Sequence, residues 1–341
     1  MKKTLTVAAI AVLVALIGFE SFLFIRHASA PKREDASSAF WSSKFSKERA
    51  HWQDEIDKLG TQKAYELFKE DTLGKDFGTA HTLAHLFGEL IYEKDGLKGI
   101  AVCDASFAFG CYHSFFGKAI TNHGIEVVSE LDKSCVEKWG PIGLGCPHGI
   151  GHGILAYLGD GKLDQALEIC SKLSWKGIFG GCQSGVFMEY NFRTMQSIEG
   201  VEPRQFDPQH PLSPCDAVPK AFSQSCYFEL AAWIANGLSN NYAEAGKVCA
   251  KAPDSLDRKA CFLGIGDSAA PNSQYNIDKS VAACANMPSR KDLVDCRAGT
   301  AWAFFAEPSA QSKRELLCKG LSASEEKVCL SESQLITYEK E

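Results

Sequence analysis

The chain has 341 residues, 45% of them hydrophobic and 23% charged, with a formal net charge of −6. Those proportions describe a folded chain rather than a disordered one, and the length suffices for a large core or an extended repeat array. The acidic balance argues against nucleic acid as a partner, because phosphate neutralisation needs clustered lysine and arginine.

Lys2 and Lys3 precede an apolar run over residues 5–25, interrupted only by Thr6, Gly18, Glu20 and Ser21. Such a segment reads as an export signal or a single membrane anchor. Ala28-Ser29-Ala30 offers small residues for cleavage, but Pro31 follows directly, and the run is long for a signal peptide. The expectation is an uncleaved anchor over residues 1–30 that holds the rest on the extracytoplasmic side of a membrane. Cleavage after Ala30 would instead give a secreted or periplasmic protein. Without that segment the chain carries 33 basic and 41 acidic residues, a formal charge of −8. Residues 31–46 are polar and serine-rich and read as a linker. Residues 47–59 and 61–71 read as two helices, with Gly60 and Gly74 as breaks; within 47–75 they form the N-terminal cap that a repeat array needs.

The array itself, over 76–341, is announced by its cysteines. Fourteen of them fall into seven couples: Cys103/Cys111, Cys135/Cys146, Cys170/Cys182, Cys215/Cys226, Cys249/Cys261, Cys284/Cys296 and Cys318/Cys329. Successive second cysteines are 35, 36, 44, 35, 35 and 33 residues apart, a period typical of stacked helical pairs. Helix A of each pair centres on the second cysteine, and helix B ends at the next couple's first. Leu163, Ala166, Leu167 and Cys170 show the buried stripe of helix B at helical spacing. Three positions after its cysteine, helix A carries a small residue in most repeats (Ser114, Gly149, Gly185, Gly264, Gly299), with Glu229 an exception among them. Glycine costs about 1 kcal/mol in a helix, so its recurrence implies close backbone approach between neighbours. The same local couple, repeated seven times in an exported chain, selects disulfides within each couple, each worth about 2–3 kcal/mol by the chain-entropy model. The period and the staple resemble those of TPR and Sel1-like helical-hairpin solenoids. The resemblance is one of architecture, without a family consensus. The expected fold class is therefore all-α: a disulfide-stapled α/α helical-hairpin solenoid behind an N-terminal apolar helix.

Histidine is distributed unevenly over this scaffold. His81, His113 and His148 sit two residues after the cysteine or its counterpart Thr79; His85, Gly117 and His152 occupy the next turn of the same face. Later repeats read Ser184/Met188, Phe228/Ala232, Leu263/Asp267 and Ala298/Trp302 at those two positions. Imidazoles at i and i+4 share one helix face about 5–6 Å apart, a separation suited to chelating one ion. Packed helices lie about 8–10 Å apart, so rings from flanking helices can converge over the central one. Gly117 would leave room there for an ion or a substrate.

With thiols held in disulfides, the donors are imidazole and carboxylate, and an imidazole-rich site suits copper or zinc. Glu89, one turn beyond His85, and Glu189 would make a di-iron centre the less favoured option. The ligand set read from sequence is thus His81, His85, His113, His148, His152, Glu89 and Glu189, with two ions conceivable. If the site does chemistry, metal-assisted oxidation or hydrolysis are the classes to expect. Residues 193–214, rich in proline and containing Asp207 and His210, read as a protruding loop of the kind that serves as a lid. No HExxH, Walker A, GxSxG or CxxCH signature occurs. The competing expectation is a non-catalytic solenoid that grips a protein or peptide on its concave face.

Overall fold

The structure is a computed structural model that describes residues 44–140, 145–175, 177, 179–195 and 204–335. These residues form fourteen α-helices with turns and short 3-10 segments between them, and among them there is no strand. Helices α1 (Ser46–Leu59) and α2 (Thr61–Thr72) turn at Gly60, whose φ of +80° only glycine adopts without strain. They cover the first helix of the array: Trp52 and Phe68 bring their rings to 5.6 and 4.8 Å from Phe87 of α3 (Phe77–Asp95).

In chain order there follow a 3-10 segment (Gly96–Ala101), α4 (Gly110–His123), α5 (Val128–Trp139), α6 (Cys146–Leu158), α7 (Leu163–Ser171) and α8 (Cys182–Phe192). Next come α9 (Lys220–Gly237), α10 (Tyr242–Cys249), α11 (Ser255–Asn272), α12 (Ile277–Ala283), α13 (Arg290–Ala306), a 3-10 segment (Gln311–Cys318) and α14 (Ala323–Leu335). Helices α3, α4, α6, α8, α9, α11, α13 and α14 are the A elements, and each packs against the next. Side-chain caps start several of them. Asp76 accepts from the Thr79 N–H, Asp254 from those of Leu256 and Asp257, and Ser289 from that of Asp292.

Seven disulfides join the couples Cys103–Cys111, Cys135–Cys146, Cys170–Cys182, Cys215–Cys226, Cys249–Cys261, Cys284–Cys296 and Cys318–Cys329, with Cα separations of 5.4–5.8 Å. Six of them tie the end of a B element to the first two turns of the following A helix, Cys215–Cys226 ties a turn to α9, and none of the fourteen cysteines is free. So many bridges suit an oxidising, extracytoplasmic environment.

The array is less regular than its cysteines. The first and last B elements are 3-10 helices, and among the described residues no B element precedes α9, with 204–219 running as turns. That stretch is not a free loop. Arg204 stacks on Trp233 at 3.7 Å and donates to Asn191 Oδ1 at 2.7 Å, and Trp233 Nε1 donates back to the Arg204 carbonyl at 2.8 Å. The expected protruding loop is thus docked on α9 from Arg204 onwards; residues 196–203 lie outside the described residues. So do the apolar run of residues 1–30 and nearly all of the linker. Among the described residues no helix is long and apolar enough to cross a membrane.

The chain also curls. The Phe77 ring at the start of α3 meets Tyr275, just after α11, at 5.5 Å. The backbone N–H groups of Phe107 and Ala108, before α4, approach the carboxyl of Glu307 at the end of α13. Seven A helices, α3 to α13, therefore surround one cavity of about 240 Å³.

Close approach between A helices rests on the glycines. A Cβ at Gly299 would overlap the Leu263 carbonyl, and one at Gly185 the His148 carbonyl. Gly299→Ala should lower the unfolding free energy by about 2 kcal/mol or more. Gly161, with nothing within 4 Å, is the control. Gly161→Ala should be neutral or slightly stabilising in the same denaturant titration.

Candidate metal centre

Helices α3, α4 and α6 each turn a histidine-bearing face towards the cavity. Their stacking brings the five imidazoles into two groups of three, His81/His85/His113 and His113/His148/His152, with donor atoms within 4.8 Å of one another in each group. His113 belongs to both. In the first group His85 Nε2 lies 3.0 Å from His81 Nε2 and 3.2 Å from His113 Nδ1. In the second, His152 Nε2 lies 3.0 Å from His148 Nε2. Nitrogens each about 2.0–2.1 Å from a tetrahedral ion would stand about 3.3 Å apart, so the three pairs at 3.0–3.2 Å need to open by only a few tenths of an ångström.

The tautomers follow from the outer partners. His81 Nδ1 lies 2.6 Å from the Phe107 carbonyl, which only accepts, so Nδ1 carries the proton and Nε2 presents its lone pair inward. His152 Nδ1 lies 3.0 Å from Glu189 Oε2 and 2.8 Å from Thr194 Oγ1, whose own hydroxyl proton goes to Glu189. Its Nδ1 must donate as well, and Nε2 faces His148 bare. Two inward nitrogens are thus fixed as acceptors. Meanwhile His113 Nε2 and His148 Nδ1 are buried with no hydrogen-bond partner. All five rings are shielded from water: only His81 is half-buried and the others are at most 5% exposed. Burial holds His85, His113 and His148 well below the usual imidazole range, and lowers His81 against the pull of the Phe107 carbonyl. Neutral rings are the ligand form.

The two carboxylates read as ligands are elsewhere. Glu189 is completely buried behind His152, on the Nδ1 side, where it also accepts from the Met195 N–H at 3.0 Å. It fixes the His152 ring from the Nδ1 side, as a carboxylate behind a metal-binding imidazole would. Glu89 belongs to a buried ion cluster, 3.4 Å from Lys118 Nζ and 4.0 Å from Arg49 Nη1. Neither carboxylate is in either group of three. The space over Gly117 is not open either: a Cβ there would run into the Met195 methyl group, so a residue 78 positions later fills it. Asp207 and His210 bond to one another at 2.9 Å on the surface and take no part in the cavity wall.

Later helices supply the rest of the wall. Met188, and with it Phe228, Asp267 and Trp302, which sequence reasoning missed, occupy the same two register positions as the histidines and face the same cavity from α8, α9, α11 and α13. Glu229, an exception among the small residues of helix A, is there too. The register held this signal, but only curling of the array turns those helices towards the histidines.

Neither a family model, nor a curated protein, nor a solved structure matches this chain.

Two measurements test the site. Glu189→Gln should weaken metal affinity by about 10–100-fold with the helical circular dichroism unchanged. Asp267 has its pKa pushed by burial from 3.8 up to about 7. The folded chain therefore holds that proton more tightly than the unfolded one, and the associated stability is lost as pH rises through about 7. In Asp267→Asn the decline in unfolding free energy between acid and alkaline pH should be reduced.

Proposed function

We propose that this is an exported metalloprotein whose five histidines hold two copper or zinc ions, one in each group of three, with the His113 ring shared between them. The observation that carries the reading is the position of His113. Its Nδ1 lies 3.2 Å from His85 Nε2, its Nε2 is buried and unpartnered, and its ring centroid lies 5.7 and 4.5 Å from those of His148 and His152. His81, His85 and His113 would hold one ion and His113, His148 and His152 the other, with the His113 N–H proton given up to solvent if both are held. The first shell is all imidazole, which favours copper or zinc over a di-iron centre that would need carboxylate ligands. The cavity beside the histidines gives a substrate access to the ions, which fits a metal-dependent oxidase or hydrolase: bound metal can polarise a substrate oxygen or generate hydroxide at neutral pH.

The proposed export rests on the seven disulfides and on the apolar run within residues 1–30, which we read as a signal-anchor that holds the helical-hairpin solenoid at the outer membrane face. A protein or peptide gripped on the concave face has less support. That face lines a cavity of about 240 Å³, below the size usual even for drug-like ligands.

Elemental analysis of the full chain, purified with its disulfides intact and dialysed after loading with copper or zinc, tests the reading. Two ions per chain are expected. His85→Ala and His152→Ala should each retain one, while His113→Ala should weaken both. A folded chain that stays ion-free after loading overturns it.

A further inference from the structure

The histidines form one part of the cavity wall, and the rest of it has a chemistry of its own. Asp267, Glu229 and Glu307 put three carboxyl groups into the wall, which contains no lysine or arginine. Ser184 Oγ donates to Glu229 Oε1, and Ser309 Oγ to Glu307 Oε1 at 3.0 Å. Among the described residues no basic side chain pairs with Glu229, Asp267 or Glu307. Burial raises all three carboxyls above their ordinary values, Glu229 most strongly, with Asp267 adding to it. An acid in such a place is costly to ionise until a cation arrives.

Around the acids stand aromatic rings. Phe77, Phe109, Phe228, Tyr275 and Trp302 all line the cavity. Phe77 and Tyr275 meet edge to face at 5.5 Å. Ring faces attract organic cations, which are weakly hydrated and give up water more readily than a small metal ion does. Aromatic walls with buried carboxyls and no resident basic group are complementary to one ligand class.

We propose that the cavity binds a small organic cation, an ammonium group held over the Trp302 and Tyr275 rings with Asp267 and Glu229 as its counter-charge. The volume of about 240 Å³ limits the ligand to a small amine or quaternary ammonium compound rather than a peptide. Read together with the metal centre, this makes small amines the substrate class, with the charged end at the acidic wall and the other end towards the histidines. The binding step itself does not depend on the metal.

The test uses the full chain freed of metal by chelation, with binding followed by calorimetry and tryptophan fluorescence. The probes are benzyltrimethylammonium, which has no nitrogen lone pair and cannot ligate an ion, phenethylammonium, and the neutral 2-phenylethanol. Both cations should bind about tenfold or more tightly than the alcohol. Asp267→Asn and Glu229→Gln should each erase most of that preference while the far-ultraviolet circular dichroism is unchanged. Equal binding of cation and alcohol would overturn the proposal in favour of a neutral, hydrogen-bonding wall. Failure of both cations to bind, or a preference that survives both substitutions, would overturn it as well. Because the metal is absent throughout, none of these outcomes depends on whether the histidines bind an ion.

Discussion

Five imidazoles packed nitrogen to nitrogen, four of them buried, are the constraint on which this structure turns. Neutral imidazole has one N–H and one acceptor nitrogen, so a cluster is content only when each inward lone pair meets a proton. Here Phe107 and Glu189 draw the protons of His81 and His152 outward, and the inward nitrogens lie 3.0–3.2 Å apart in a dry interior. His113 Nε2 and His148 Nδ1 are left buried without a partner, and a metal ion would supply one. The same burial keeps the rings neutral and able to ligate.

The scaffold exists to hold those rings at that spacing. Glycines such as Gly185 and Gly299 let A helices touch backbone to backbone, and Gly185 touches the carbonyl of His148 itself. The disulfides act over short loops of 8–12 residues, so each fixes the angle at which one hairpin enters the next A helix. Small errors per repeat would accumulate around a ring. Local staples and close packing prevent that, and the closing contact of Phe77 with Tyr275 is the result. In α6 the division is plain: Cys146 and Gly149 pack against neighbouring elements, and His148 lines the cavity.

Much of this was legible in the residues because it is local. The cysteine couples, the helical pairs and the shared register of His81, His113 and His148 all repeat along the chain. What was not legible is what distant segments do to one another. Gly117 reads as an open position, yet Met195 fills it from the far side of two hairpins. Glu189 reads as a ligand because it follows Met188 in the histidine register, but one residue turns a helical side chain by about 100°, and it ends behind His152. Glu89 lies in the histidine stripe, but Arg49, from the N-terminal cap, and Lys118 draw it into an ion cluster. The acidic and aromatic wall was invisible for the same reason. Asp267 and Trp302 share a cavity with the histidines only once the array curls, and curvature depends on small rotations per repeat that spacing does not encode.

X-ray absorption at the edge of the bound metal is the most direct test of the central claim. The account predicts nitrogen neighbours at about 2.0 Å with the outer-shell scattering of imidazole rings, and no sulfur at about 2.3 Å. A spectrum of sulfur or oxygen neighbours without imidazole scattering would contradict it, and the five rings would then have to be explained as packing alone.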